Sequence, residues 1–197
     1  MKKTARKVLL MACSALLLVC LTVGATVAYL TSQDSVTNTF TVGKLSIFLD
    51  ETDTDGSKTD VTKEGRDKAN KYHLIPGSTY AKDPTVHVQA GSEACYVFVK
   101  VEDGLAEIED TTTIAAQIAA KGWTKLDGVS NVYYKVQNAV PEDATAPVDL
   151  VVFDNFKLKS DADVSQYANA KIKITAYAIQ AENFADANAA WTAGNWQ

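Results

Sequence analysis

The chain has 197 residues, is 47% hydrophobic, and carries 19 basic against 24 acidic side chains, which suits one globular domain with a real core. Residues 1–28 hold four basic residues and no acidic one, so the remainder has 15 basic against 24 acidic residues and a net charge of −9. That balance, with no basic stripe interleaved with aromatics, sets aside a nucleic-acid partner and an anionic membrane surface.

Lys2, Lys3, Arg6 and Lys7 form a basic start, and Val8 to Val23 an apolar run. Thr26-Val27-Ala28 then offers the small-x-small pattern of a signal-peptidase site, so residues 1–28 read as a signal peptide cut between Ala28 and Tyr29. Roughly 20 apolar residues also suffice to span a bilayer, so an uncleaved anchor is the other reading. Positive charge on the N-terminal side exports the following domain in both cases. Cys13 and Cys20 lie in this leader, which leaves Cys95 alone and without an internal disulfide partner.

Period-two alternation begins almost at once. Val36, Asn38, Phe40 and Val42 share one face of a first strand, within an N-terminal segment 29–43. Gly43-Lys44 permits a turn into a domain covering 44–197. Leu45, Ile47 and Leu49 then oppose Ser46, Phe48 and Asp50, and residues 50–71 form an acidic surface loop. Val86, Val88 and Ala90 alternate with Thr85, His87 and Gln89, and Cys95, Val97, Val99 and Val101 oppose Tyr96, Phe98, Lys100 and Glu102. A short helix follows around Ile114, Ala115, Ile118 and Ala119, capped by Asp110 or a following Thr and ended by Gly122. Further strands are expected at Val132–Val136, Val148–Leu158 and Ala170–Ala181, and a helical turn or two around Phe184, Ala187 and Trp191. The four prolines fall between strands or at their edges. The sum is an all-β fold, a jelly-roll-type β-sandwich with minor short helices.

Catalytic chemistry finds little support. Asp53, Asp55 and Gly56 match part of a calcium loop, but with Gly56 at its sixth position the twelfth falls on Thr62, so the bidentate acid is missing. The two histidines, His73 and His87, lack the spacing of a zinc site, and His87 is expected on a solvent-facing side. No Gly-x-Ser-x-Gly elbow or phosphate loop occurs, and Cys95 reads as inert packing. Glu107, Glu109 and Asp110 have no apolar setting legible in the sequence. No catalytic residue and no cofactor is therefore assigned. Calcium or zinc at Asp53, Asp55, His73 or His87 is kept as the alternative.

Gly24, Ala28, Tyr29, Leu30 and Thr31 at the junction, followed by Asn38, Thr39, Phe40, Gly43, Leu45 and Ile47, resemble the TasA/camelysin family of Gram-positive bacteria. Pro76, Gly77 and Lys82 match that family's second motif, and residues 174–184 are similar to its closing strand. The resemblance implies processing by an ER-type signal peptidase of the SipW class, a jelly-roll sandwich, and a secreted or cell-surface location. It also implies a structural protein of the biofilm matrix that polymerises with itself and meets other matrix components, and the lack of a legible ligand set or nucleophile makes a non-enzymatic role the expectation. A free alternating strand at 36–42 suits donor-strand exchange, in which one copy's N-terminal strand fills a neighbour's groove. No Leu-Pro-x-Thr-Gly sorting motif occurs, so assembly is expected to supply retention. The alternatives are a camelysin-like cell-surface metallopeptidase, and a carbohydrate-binding adhesion sandwich using Tyr96, Phe98, Tyr133 and Tyr177 as exposed stacking surfaces.

Overall fold

A computed structural model describes residues 3–4, 6–8, 11–14, 43–56 and 65–196. The expected cleavage site at Ala28 and Tyr29, and the strand carrying Val36, Asn38, Phe40 and Val42, lie outside the described residues. Two compact units, 1–41 and 42–197, divide the chain. In the first, the described residues are helical, with Val8 and Met11 exposed. Among the described residues no helix is long and apolar enough to cross a membrane.

The second unit is built of antiparallel strands with short helices. Its strands are β1 (Ile47–Thr52), β2 (Arg66–Asp67), β3 (Thr79–Ala81), β4 (Thr85–Val88), β5 (Cys95–Asp103), β6 (Thr124–Lys125), β7 (Val132–Gln137), β8 (Val148–Val151), β9 (Asn155–Lys157) and β10 (Ile172–Gln180). Helix α1 spans Ile114–Ala120, helix α2 spans Ala187–Gly194, and a single 3-10 turn covers Val164–Tyr167. One sheet runs β2-β1-β4-β8, the second runs β10-β5-β7-β6, and β3 and β9 form a two-stranded ribbon.

The two sheets share one apolar core because their alternations point at each other. Val86 and Val88 of β4 and Leu150 of β8 meet Val97, Val99 and Val101 of β5, with Ile114, Ile118 and Trp123 closing one side. Helix α1 starts where Thr113 accepts a hydrogen bond from the Ala116 N–H at 3.2 Å, and it stops at Gly122, whose φ is 79°. Only Ile114 and Ile118 of its expected apolar face are buried; Ala115 and Ala119 are exposed.

Three expectations change. The strand expected over Val148–Leu158 divides in two, because its ladder with β4 runs out at Pro84, which accepts from the Val152 N–H at 2.8 Å but has no N–H to return. The chain turns there, leaving β8 in the first sheet and β9 in the ribbon. No turn forms at Gly43-Lys44: residues 43–46 run on beside the chain at 89–93, where Gln89 N–H donates to Ser46 O and Glu93 N–H to Lys44 O, each at 2.9 Å.

The outward face of β5 is also covered. Phe98 is fully buried in a second apolar cluster with Leu126, Val132, Ala187 and Ala190. Helix α2 makes this cover, starting at Asp186, which accepts from Ala189 N–H at 2.8 Å. Trp191 sits edge-on to Phe98 at 5.1 Å between ring centroids and to Tyr177 at 5.6 Å. Tyr96 and Tyr177 pack under the same cover, and Tyr133 packs against the main core, so the four aromatics read as exposed sugar platforms are packing residues. Removing the ring with Phe98→Ala is expected to lower unfolding free energy by about 3–5 kcal/mol in urea titrations. A change below about 1 kcal/mol would show that α2 does not anchor there.

Candidate functional site

Two features stand out between the sheets: a groove, and a set of buried charges at its end. β1 bonds to β4 through Ile47–Asp50, and on its other side, among the described strands, it pairs with β2 at Glu51 and Thr52. β10 bonds along all nine residues to β5 and to no further strand among the described residues. Between these two edges lies a groove of about 1560 Å³ whose lining includes Ile47, Leu49, Leu74, Phe156, Ile172 and Ile174. Ile172, Ile174 and Ala176 point toward the main core, yet all are only half-buried, because nothing among the described residues covers their open side.

Where β1 passes beside β2, two successive carboxylates are buried. Alternation sends Asp50 to the face away from the core and Glu51 to the groove side, with 2% and 4% of their surfaces exposed. Asp50 receives Arg66 Nε and, at 2.8 Å, His87 Nε2. His87 Nδ1 lies 2.6 Å from Asp149 on β8, and the ring stacks on Phe48 at 4.3 Å. Arg66 also reaches Asp83 at 3.1 Å, and Asp83 accepts from the Thr52 N–H at 2.7 Å and the Thr52 hydroxyl at 2.8 Å. This network ties β1, β2, β4 and β8 together on one face.

Glu51 heads the second network. Its Oε2 pairs with Lys82 Nζ, which is itself 8% exposed, and its Oε1 accepts from Asn70 Nδ2 at 2.9 Å. The other Nδ2 hydrogen goes to Thr52 O at 2.9 Å. The Asn70 Oδ1 accepts from the Thr54 N–H at 2.7 Å and the Thr54 hydroxyl at 3.0 Å. Tyr72 borders this site, and burial pushes its phenol up to about 12. Its ring meets Phe156 edge-on at 5.3 Å, and Tyr80 stacks on Phe156 at 4.8 Å.

The sequence-derived candidates therefore fall apart. His87 is buried with both ring nitrogens committed to carboxylates, not solvent-facing, because the polar side of β4 is covered by charge pairs and Phe48. His73 is exposed. Asp53 accepts from its own turn at Gly56 N–H at 2.7 Å, and Asp55 from Lys71 N–H at 2.7 Å. Among the described residues no group of three or more His, Cys, Asp or Glu is placed to hold a metal ion. Residues 50–71 are anchored at both ends: Asp50, Glu51 and Asp67 are buried, so the segment is not simply a surface loop. Residues 57–64 of it lie outside the described set. Cys95 is fully buried and its thiol is pushed up to about 11 by burial, which suits packing and not attack.

Glu109 is the clearest departure. Expected without an apolar setting, it is 4% exposed, and burial, aided by the nearby Asp103 carboxylate, pushes it up to about 7. Both its oxygens face the Ile114 N–H at 3.2–3.3 Å, at the entry to α1. The folded chain thus holds this proton more tightly than the unfolded one, so stability is greatest below the ordinary carboxylate range and falls as pH rises toward 7. Glu109→Gln keeps an acceptor for Ile114 and removes the buried charge. Urea unfolding is expected to find the variant about 3 kcal/mol more stable than the parent above about pH 8, with the difference closing below about pH 4.5. Equal stabilities across that range would refute the assignment.

Comparison with protein-family models, curated proteins and solved structures finds no match for this chain.

Proposed function

We propose that this is an exported structural protein that polymerises into extracellular matrix fibres, with residues 36–42 of one copy completing the groove of the next. The observation that carries the proposal is a pair of edges with no partner strand among the described residues, β1 at Ile47–Leu49 and β10 along its length, with an apolar groove between them. An open edge and a half-buried apolar row invite one more strand. Val36, Phe40 and Val42 supply alternating apolar side chains, and seven residues at about 3.3 Å each extend roughly 23 Å, shorter than the nine-residue β10 beside which they would lie. Burying those three side chains contributes about 6 kcal/mol before ordering costs.

Filled in this way, the two sheets form a jelly-roll-type sandwich. Cleavage of the leader between Ala28 and Tyr29, by an ER-type signal peptidase, frees the donor strand. Head-to-tail filling does not close on itself and so grows a filament. The role is structural, with no external substrate, and the net negative charge keeps the unassembled chain soluble.

The donor and acceptor halves can be tested separately. Deleting residues 29–42 from the mature chain is expected to abolish filaments in negative-stain micrographs and leave a folded monomer by circular dichroism. Ile174→Asp places a charge in the groove and is expected to do the same from the acceptor side. Mixing the two variants should yield dimers, since one retains a groove and the other a donor. Filaments that persist in the deletion variant would end the strand-exchange reading.

A further inference from the structure

Glu51, Lys82 and Asn70 form an arrangement that does more than neutralise charge. One carboxylate holds an amine and a carboxamide at once: Lys82 Nζ on Oε2, and Asn70 Nδ2 on Oε1 at 2.9 Å. The amine and the carboxylate are both almost wholly withdrawn from water. The carboxamide is fully constrained, with both N–H groups donated and its oxygen accepting twice from Thr54. Those two donors point at the atom on which negative charge would develop if the carboxamide carbon were attacked. The neighbouring carboxylate can take a proton from the amine and deliver it to the amide nitrogen. Nucleophile, proton carrier, leaving group and oxyanion donors are thereby present in one place. A salt bridge alone would need only the first two.

We infer that Lys82 and Asn70 become joined by an isopeptide bond, formed within the folded chain with Glu51 as the catalytic residue. Glu51 removes a proton from the Lys82 ammonium, and the free amine attacks Asn70 Cγ. The Nζ–Cγ bond forms, and the oxyanion is held by the Thr54 N–H and hydroxyl. The Cγ–Nδ2 bond then breaks. Of the three protons on Nζ, one stays on the new amide and two pass through Glu51 to the departing nitrogen, which leaves as ammonium. No oxidant or cofactor enters the balance. Tyr72, Tyr80 and Phe156 pack ring against ring, and Tyr72 and Phe156 line the same groove as Glu51, Asn70 and Lys82. The bond ties the segment after β2 to the segment after β3, beside Glu51 on β1, at the end of the groove.

The proposal is independent of the fibre reading, since it concerns a bond within one chain and is read on monomer or polymer alike. Intact-mass spectrometry of the denatured full chain is the first test. The expected mass is lower than that of the sequence by one ammonia per chain. Trypsin should then fail to cut after Lys82 and release a branched peptide in which Ala69-Asn70-Lys71 is attached to the peptide containing Lys82. Asn70→Ala removes the carboxamide carbon, and Glu51→Gln removes the proton carrier. Both are expected to retain the full mass and normal cleavage after Lys82, and near-ultraviolet circular dichroism of Asn70→Ala reports that the fold survives. A wild-type chain of full mass, cut normally after Lys82, overturns the proposal. So does loss of water in place of ammonia with the branch at Glu51, which would identify a different bond.

Discussion

The adjacent acids Asp50 and Glu51 constrain the rest of this domain most. They sit side by side on β1, and alternation buries one on each face of the strand. An isolated carboxylate out of water is prohibitively unfavourable, so each must be met by a cation and further donors. Asp50 is met by Arg66 and His87, and Glu51 by Lys82 and Asn70. Arg66 and Asn70 come from the same segment, so the chain after β1 has to return to β1 before it can proceed to β3. The pairing of β2 with Glu51 and Thr52 follows from that return. Buried ion pairs of this kind are poor sources of net stability compared with apolar packing, but they discriminate sharply against a shifted register. A slip of one residue would send Asp50 toward Lys82 and leave Glu51 facing His87 and Arg66.

What the sequence revealed and what it hid separate along one line. Periodicity reports which way a side chain points, and it does so well for β5, where Cys95, Val97, Val99 and Val101 are all buried in the main core. It also placed Ile172, Ile174, Ala176 and Ala178 toward that core and located α1 with a threonine cap. Periodicity does not report what covers the other side. Phe98 faces away from the main core and is still fully buried, because α2 folds back from a distant part of the chain. His87 and Asp50 are polar, on the polar face, and buried for the same reason. Glu109 is hidden by α1 and by its bridge to Leu158, neither of which leaves a mark in local spacing. Each miss is a long-range cover over a locally correct orientation. The split between β8 and β9 is of another kind, since it falls where the ladder with β4 reaches Pro84, and the pairing of Pro84 with Val152 is set by register and not by local spacing.

The two edges bordering the groove differ from a simple aggregation hazard. Exposed sheet edges are commonly blunted by charge, and Lys171 and Lys173 stand at the start of β10 on its outward side. The inward side of the same stretch presents Ile172 and Ile174, half-covered. A strand pairing here must therefore place apolar residues inward and tolerate two cations outward, which a uniformly apolar segment does poorly. Selectivity of this kind combines an attractive groove with a rim that rejects the commoner wrong partner.

The groove and the charge network also limit one another. A strand lying beside β1 meets Ile47 and Leu49 on the groove side and then Glu51, whose carboxylate is already held by Lys82 and Asn70. An apolar side chain pressed past that point would have to displace a buried ion pair, which costs several kcal/mol. The apolar part of any inserted strand must consequently end where Leu49 ends. Closing the Lys82–Asn70 linkage would replace the ion-paired amine with a covalent amide, so the same residues that stop the strand would also hold the far wall of the groove in place. The register of any strand bound there would then derive from a polar boundary inside an apolar groove, set by Glu51 on β1.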